Sequence, residues 1–218
     1  MVAQEYCAEF VDWSGVAFFS REKLLVDDQS VLLPRRYESV FAVIDTAVKT
    51  GTDNDGTAVT FFGYDNHTPI PLVILDWDIE QIEGAFLETW LPSVFSRLEE
   101  LARLCGARMG SVGAFIEDKS AGMVLLQQAL RRGMMAQPID SKLTALGKDE
   151  RAMSVSGYAP QGRVNIRRRR FTRPLPTKVI HATICSNRSR AFALAPKTPT
   201  GRRSSRRLLL RHCHNAWK

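Results

Sequence analysis

Two apolar runs that each stop on a carboxylate constrain this chain more than any other feature. One is Ser39-Val-Phe-Ala-Val-Ile-Asp45 and the other Val112-Gly-Ala-Phe-Ile-Glu117-Asp118. Runs this short and this continuously apolar predict strands buried on both faces. A carboxylate at the end of a buried strand is held rigidly, and two such strands side by side aim their carboxylates at one point, where a divalent cation can be caught. Each acid also has a plainer reading, Asp45 as a strand-end cap and Glu117 as a partner for Lys119. Against the plainer readings stands the cost of a buried carboxylate that is neither paired nor bound to metal.

The sequence around these runs predicts an α/β domain. Residues 39–48 form the first strand, and Gly51-Thr-Asp-Asn-Asp-Gly56 is a turn cluster. Thr57-Ala-Val-Thr-Phe-Phe-Gly-Tyr64 and Pro71-Leu-Val-Ile-Leu-Asp-Trp77 follow as strands, separated by the turn Asp65-Asn-His-Thr-Pro69. Connections this short imply antiparallel neighbours. Asp76 and Asp78 then mark a strand end and a helix start. From Glu83 to Cys105, Phe86, Leu87, Trp90, Leu91, Val94, Phe95, Leu98, Leu101 and Ala102 keep helical spacing, and Pro92 should kink this helix or restart it. The helix is core packing with no chemistry implied.

After the strand ending at Glu117, Ser120 is placed to cap a helix over 121–132 that Gly133 stops. Met134–Ile139 reads as a fifth strand and Lys148–Val155 as a helix ended by Gly157. The order is a three-strand meander followed by α/β crossovers, which predicts a mixed sheet flanked by helices. Its first and fourth strands lie side by side, bringing Asp45 and Glu117 together.

Charge divides the chain sharply. The first 150 residues hold 13 Lys/Arg and all 23 Asp/Glu, whereas the last 68 hold 17 Lys/Arg and no acid. Arg167-Arg-Arg-Arg170, Arg202-Arg203 and Arg206-Arg207 sit among Pro, Ser and Thr with little periodicity. Two readings fit: a cationic arm that neutralises phosphates, or a stretch translated out of frame after a sound domain, since folded segments carry both signs of charge. Cys7, Cys105, Cys185 and Cys213 lack metal-ligand spacing and predict reduced thiols. His181, Cys185 and the His212-Cys213-His214 run offer zinc-ligand types without a standard ligand pair. No apolar stretch approaches the ~20 residues of a membrane span, and the N-terminus lacks the basic-then-apolar pattern of a secretory signal. The expectation is a cytoplasmic protein.

Val43-Ile-Asp45-Thr-Ala47, with the turn after it and Asp55-Gly-Thr-Ala-Val-Thr60, resembles the first two strands of the ribonuclease-H-like nuclease domain of phage terminase large subunits. Phe115-Ile-Glu117-Asp118-Lys-Ser-Ala-Gly122 resembles the second acidic strand of that family and its small-residue helix start. Gly147-Lys148-Asp-Glu-Arg151-Ala and Gly162-Arg-Val164 are similar to its next helix and strand, and Glu5-Tyr-Cys-Ala-Glu-Phe-Val-Asp-Trp-Ser-Gly15 to the segment joining its ATPase and nuclease domains. The resemblance implies a ribonuclease-H-like fold and cleavage of concatemeric viral DNA during packaging, with Mg²⁺ or Mn²⁺ held by three acids. Asp45 would bridge both metals and Glu117 would hold one.

Two departures accompany it. The third acid of the family lies beyond the strand matched by Val164-Asn-Ile166, where this chain has Arg167–Arg170, and Asp149 is the nearest acid to that role. Beside Lys148 and Arg151, Asp149 also reads as a surface ion pair. No GxxxxGK[ST] phosphate loop is present, so the reading covers the nuclease part alone. The domain expectation is a linker over 1–38, a nuclease over 39–166 and a basic tail over 167–218. Double-stranded DNA is the expected partner, with the small terminase subunit and portal protein in the full-length context. The alternative is a catalytically inactive chain that binds nucleic acid through its arginine-rich tail.

Overall fold

The computed structural model describes residues 10–11, 17–19, 24–25, 30–46, 56–80, 87–118, 121–145 and 147–167. A separate antiparallel ribbon pairs β1 (Phe10–Val11) with β2 (Ala17–Phe19). The main sheet contains β3 (Ser39–Asp45), β4 (Thr57–Tyr64), β5 (Leu72–Glu80), β6 (Ser111–Ile116), β7 (Ala136–Pro138) and β8 (Val164–Ile166), in the order β7-β6-β3-β4-β5-β8. The helices are α1 (Leu87–Leu104), α2 (Ala121–Arg131), the single turn α3 (Ser141–Thr144) and α4 (Lys148–Val155).

β3, β4 and β5 form the antiparallel meander that their short connections imply. β6 then crosses over to lie parallel to β3 and β7 parallel to β6, so two apolar strands far apart in sequence become central neighbours. β8 joins the far edge, parallel to β5 at Leu72–Ile74. Continuity with β8 extends one residue further, since Arg167 bonds the carbonyl of Ile74 and bridges to Val31. Residues beyond Arg167 lie outside the described residues.

The sheet is covered on both faces. On one, α1 and α2 pack Trp90, Leu91, Val94, Leu98, Leu101, Leu125 and Ala129 over Val40, Ala42, Ile44, Val59, Phe61, Leu75, Ala114 and Ile116. On the other, Val155 of α4 and the following Tyr158 and Ala159 lie with Phe41, Val43, Phe62, Trp77, Phe115 and Ile166. Phe41 stacks on Phe62 and meets Phe115 edge-on, with centroids 5.3 and 5.7 Å apart. Such aromatic pairs add to plain area burial.

Three local expectations differ from the fold. Of the two outcomes expected at Pro92, the restart does not occur, since α1 runs continuously through it: a proline this early removes one helical hydrogen bond, and the apolar face over Trp90–Leu101 outweighs that loss. The strand expected over 134–139 is reduced to Ala136–Pro138, with Met134 bonding back to Ala129 at the end of α2. β5 does not stop at Asp76 but continues to Glu80, carrying Asp76 and Asp78 inside the strand.

Candidate functional site

Asp45 is the last residue of β3, and Glu117 follows Ile116, the last residue of β6. Because the strands run parallel with Ile44 opposite Ile116, the two acids leave the sheet side by side at the same end. Their face follows from alternation. Phe41 and Val43 pack on the α4 side whereas Ala42 and Ile44 pack on the α1 side, so Asp45 falls on the α4 side. Phe115 and Ile116 divide in the same way, which puts Glu117 there too. Both acids are half-buried.

This phasing depends on a bulge in β6. Val40 pairs with Ser111 but Ala42 with Ala114, so β6 spends one extra residue around Gly113, whose φ is +91°. A side chain there would overlap the carbonyl of Met135, which accepts the Ala114 N–H. The bulge re-aims the strand, and glycine at 113 is what permits it. A second glycine brings α2 against the site: a Cβ at Gly122 would overlap the carbonyl oxygen of Glu117. The small residue in Glu117-Asp118-Lys-Ser-Ala-Gly122 thus lets the helix seat on the strand end.

Asp118 is exposed. Asp149 lies on α4, the helix whose Val155 packs on the Asp45 face, and its side chain is outside the described residues. Glu150 of the same helix bonds the Gly147 N–H at 3.3 Å and so serves the helix start. Among the described residues, no group of three His, Cys, Asp or Glu side chains forms a metal cluster. A pair of half-buried carboxylates at adjoining strand ends fits a hard divalent cation that keeps several waters. The His181, Cys185 and 212–214 residues lie outside the described residues.

One buried polar atom lies on the same face. Thr60 is opposite Val43, one row inward from the Asp45–Ala58 pair, and is fully buried. Its Oγ1 has no hydrogen-bond partner among the described residues. Leaving such a hydroxyl unpaired costs about 1–3 kcal/mol. Nothing in the sequence singles out Thr60, since a threonine in a strand signals nothing locally.

The other face holds a charge cluster of different character. β5 bulges against β4: Phe61 pairs with Asp76 and Phe62 with Ile74, so Leu75 and Asp76 both turn toward α1. Asp76, 3% exposed, takes both Nε and Nη2 of Arg97 on one oxygen at 2.9 and 2.5 Å, while its other oxygen accepts the Trp77 N–H at 2.8 Å. Arg97 also reaches Glu100 at 2.6 Å. Burial alone would lower the Arg97 pKa, but its bonds to Glu100 and Asp76 outweigh that and hold it above the usual value. Asp76 and Arg97 line a cleft of about 280 Å³ with Asp78, Trp90 and Ser93. The periodicity of α1 could not reveal that Arg97 neutralises a buried aspartate.

A three-strand antiparallel meander, two parallel strands added on the β3 side and flanking helices, with acids at the ends of the adjacent interior strands β3 and β6, define a ribonuclease-H-like α/β fold, as expected. No family model and no curated protein matches the sequence. Among solved structures, the chain is similar to the human cytomegalovirus terminase nuclease domain, with 12% identity, 82% of this chain and 94% of that chain covered, and a TM-score of 0.47. It is also similar to the large terminase nuclease of the thermophilic phage G20c in its zinc-bound form, at 17% identity, 78% and 97% coverage and a TM-score of 0.41. The magnesium-bound form of that nuclease aligns at 17% identity over 69% of this chain and 74% of that one, with a TM-score of 0.36.

Proposed function

We propose that this chain is a terminase-type nuclease domain that cuts concatemeric double-stranded DNA in the cytoplasm with the help of Mg²⁺ or Mn²⁺. The observation that carries the reading is the exit of Asp45 and Glu117 from adjacent parallel strands, at one end and on one face of the sheet. The motifs around these acids supply the terminase assignment. Asp45 and Glu117 would hold the metal, with Asp149 as candidate third ligand from α4. When bound, the cations activate a water, orient the scissile phosphate and stabilise charge on the leaving oxygen. The protein's own part is to hold the carboxylates at fixed strand ends. No described helix is long and apolar enough to cross a membrane. The small terminase subunit and portal protein are the partners proposed for the full-length context.

Cleavage should be weak, because two acids hold a second cation poorly and the chain has no carboxylate after residue 150. That same charge asymmetry favours a second reading, in which the chain binds DNA through its basic segment without cutting it. Plasmid nicking in Mn²⁺ and DNA binding across a salt series separate the two, using the chain, Asp45→Ala, and a version ending at Arg167. The nuclease reading expects slow nicking that Asp45→Ala abolishes. The binding reading expects salt-sensitive binding that survives Asp45→Ala, disappears on truncation and is never accompanied by nicking. Robust nicking abolished by Asp45→Ala would assign a third ligand, Asp149 first.

A further inference from the structure

We propose that Thr60 is a positioning residue of the Asp45–Glu117 site, its buried hydroxyl oriented by and bonded to the metal-bound form of the site rather than to the protein core. The inference rests on the metal-site reading above and extends it to a residue on a third strand. Three observations support it. Thr60 is fully buried and its Oγ1 has no partner among the described residues, although valine would fill the same volume without burying a hydroxyl. It lies on the face that carries Asp45, since Thr60, Phe62 and Tyr64 alternate to the side of Phe41 and Val43. Between it and the strand end on β4 stands Ala58, opposite Asp45, a buried residue whose side chain is a single methyl, so no larger β4 side chain separates Thr60 from Asp45 along that row. Diagonal neighbours across an antiparallel pair lie ~7–8 Å apart at the backbone, within reach of side chains that meet through one water.

A hydroxyl there can donate to a carboxylate oxygen of Asp45 or to a water on the cation, and accept from that water in turn. Such outer groups set the orientation of ligating carboxylates and alter metal affinity without touching the metal. A core role for Thr60 makes the opposite forecast, because removing an unsatisfied hydroxyl improves a core and leaves metal binding alone.

The test uses the full chain and Mn²⁺ alone, with binding followed by the loss of the free-ion electron paramagnetic resonance signal and melting recorded without metal. Thr60→Val should melt at or above the parent temperature yet bind Mn²⁺ about 10-fold more weakly, while Thr60→Ser should stay within about 3-fold of the parent. Thr60→Val with parental Mn²⁺ affinity, in a chain whose binding Asp45→Ala abolishes, overturns the role of Thr60 and leaves the site standing. A parent chain that binds no Mn²⁺, or whose binding survives Asp45→Ala, overturns the metal-site reading and this inference with it.

Discussion

Asp45 closes β3 and Asp76 lies in the middle of β5, with β4 between the two strands, and the fold turns them to opposite faces of the sheet. Asp76 turns toward α1, where Arg97 and the Trp77 N–H occupy both its oxygens. Asp45 turns toward α4, where its neighbours along the sheet are a second carboxylate on Glu117 and a row containing the Thr60 hydroxyl, which has no hydrogen-bond partner among the described residues. One face therefore pairs its buried acid with Arg97, and the other brings two acids together at adjoining strand ends. Asp76 sits mid-strand under a helix that brings it Arg97, whereas Asp45 sits at a strand end beside the end of a parallel neighbour that also carries an acid.

The largest effect that would sharpen this contrast is on cleavage. If the proposed function holds, Asp45→Ala should reduce Mn²⁺-dependent plasmid nicking by at least ~100-fold, in a chain that still folds. Nicking at the parental rate would break the comparison, since Asp45 would then be as structural as Asp76.

Arg97→Ala should act in reverse. It strands Asp76 in the core, so urea unfolding should show a loss of ~3 kcal/mol, near the low end for a broken buried pair because Trp77 still bonds the carboxylate. Arg97 keeps 30% of its side chain exposed, which limits the complementary loss in Asp76→Ala to ~1–2 kcal/mol. Mn²⁺ affinity of the folded fraction should be unchanged in both. A drop in affinity would mean that the α1 face also serves the site.

Gly122→Ala tests how tightly the Asp45 face depends on helix seating. The added methyl overlaps the Glu117 carbonyl, so stability should fall by ~1–3 kcal/mol and Mn²⁺ affinity should fall several-fold as the strand end shifts. Equal affinity at reduced stability would show that Glu117 is positioned by β6 alone.

The smallest effect at neutral pH belongs to the α1 face. Burial pushes the Cys105 thiol from 9.0 up to about 11, against a lowering by Arg167, and pushes Tyr37 from 10.0 up to about 12 while its hydroxyl donates to the Ile70 carbonyl. Both groups fold in the protonated form, so their contribution is fully present below the unfolded values and is lost as pH rises. Stability should be flat to about pH 9 and then decline, through the Cys105 window first and the Tyr37 window from 10.0 to about 12. Cys105→Ala should remove the first part of the decline in melting temperature measured from pH 8 upward; a decline of unchanged shape would assign it to other groups.

Much of the architecture was legible because it is local. Thr57–Tyr64 came out as a strand at both ends, Lys148–Val155 as a helix, and the short turns dictated the meander. The placing of the candidate acids was half legible: acids closing apolar runs announce strand ends, and right-handed crossover geometry makes the first and fourth strands neighbours. The face on which each acid would fall could not be read, because a single extra residue in a bulge reverses the alternation and leaves no periodic trace.

By itself, then, the chain determined which segments become strands and helices, that two of its strands end in carboxylates, and that its charge divides near residue 150. Tertiary structure alone decided the bulges at Gly113 and Leu75, the pairing of Asp76 with Arg97, the burial of Thr60 beside the Asp45 row, and the place of β8 at the edge of β5. The reason is range: hydrogen-bonding period and turn chemistry act over a few residues, whereas cross-strand register and the neutralisation of a buried charge depend on partners 21 residues away or more, as Arg97 is from Asp76.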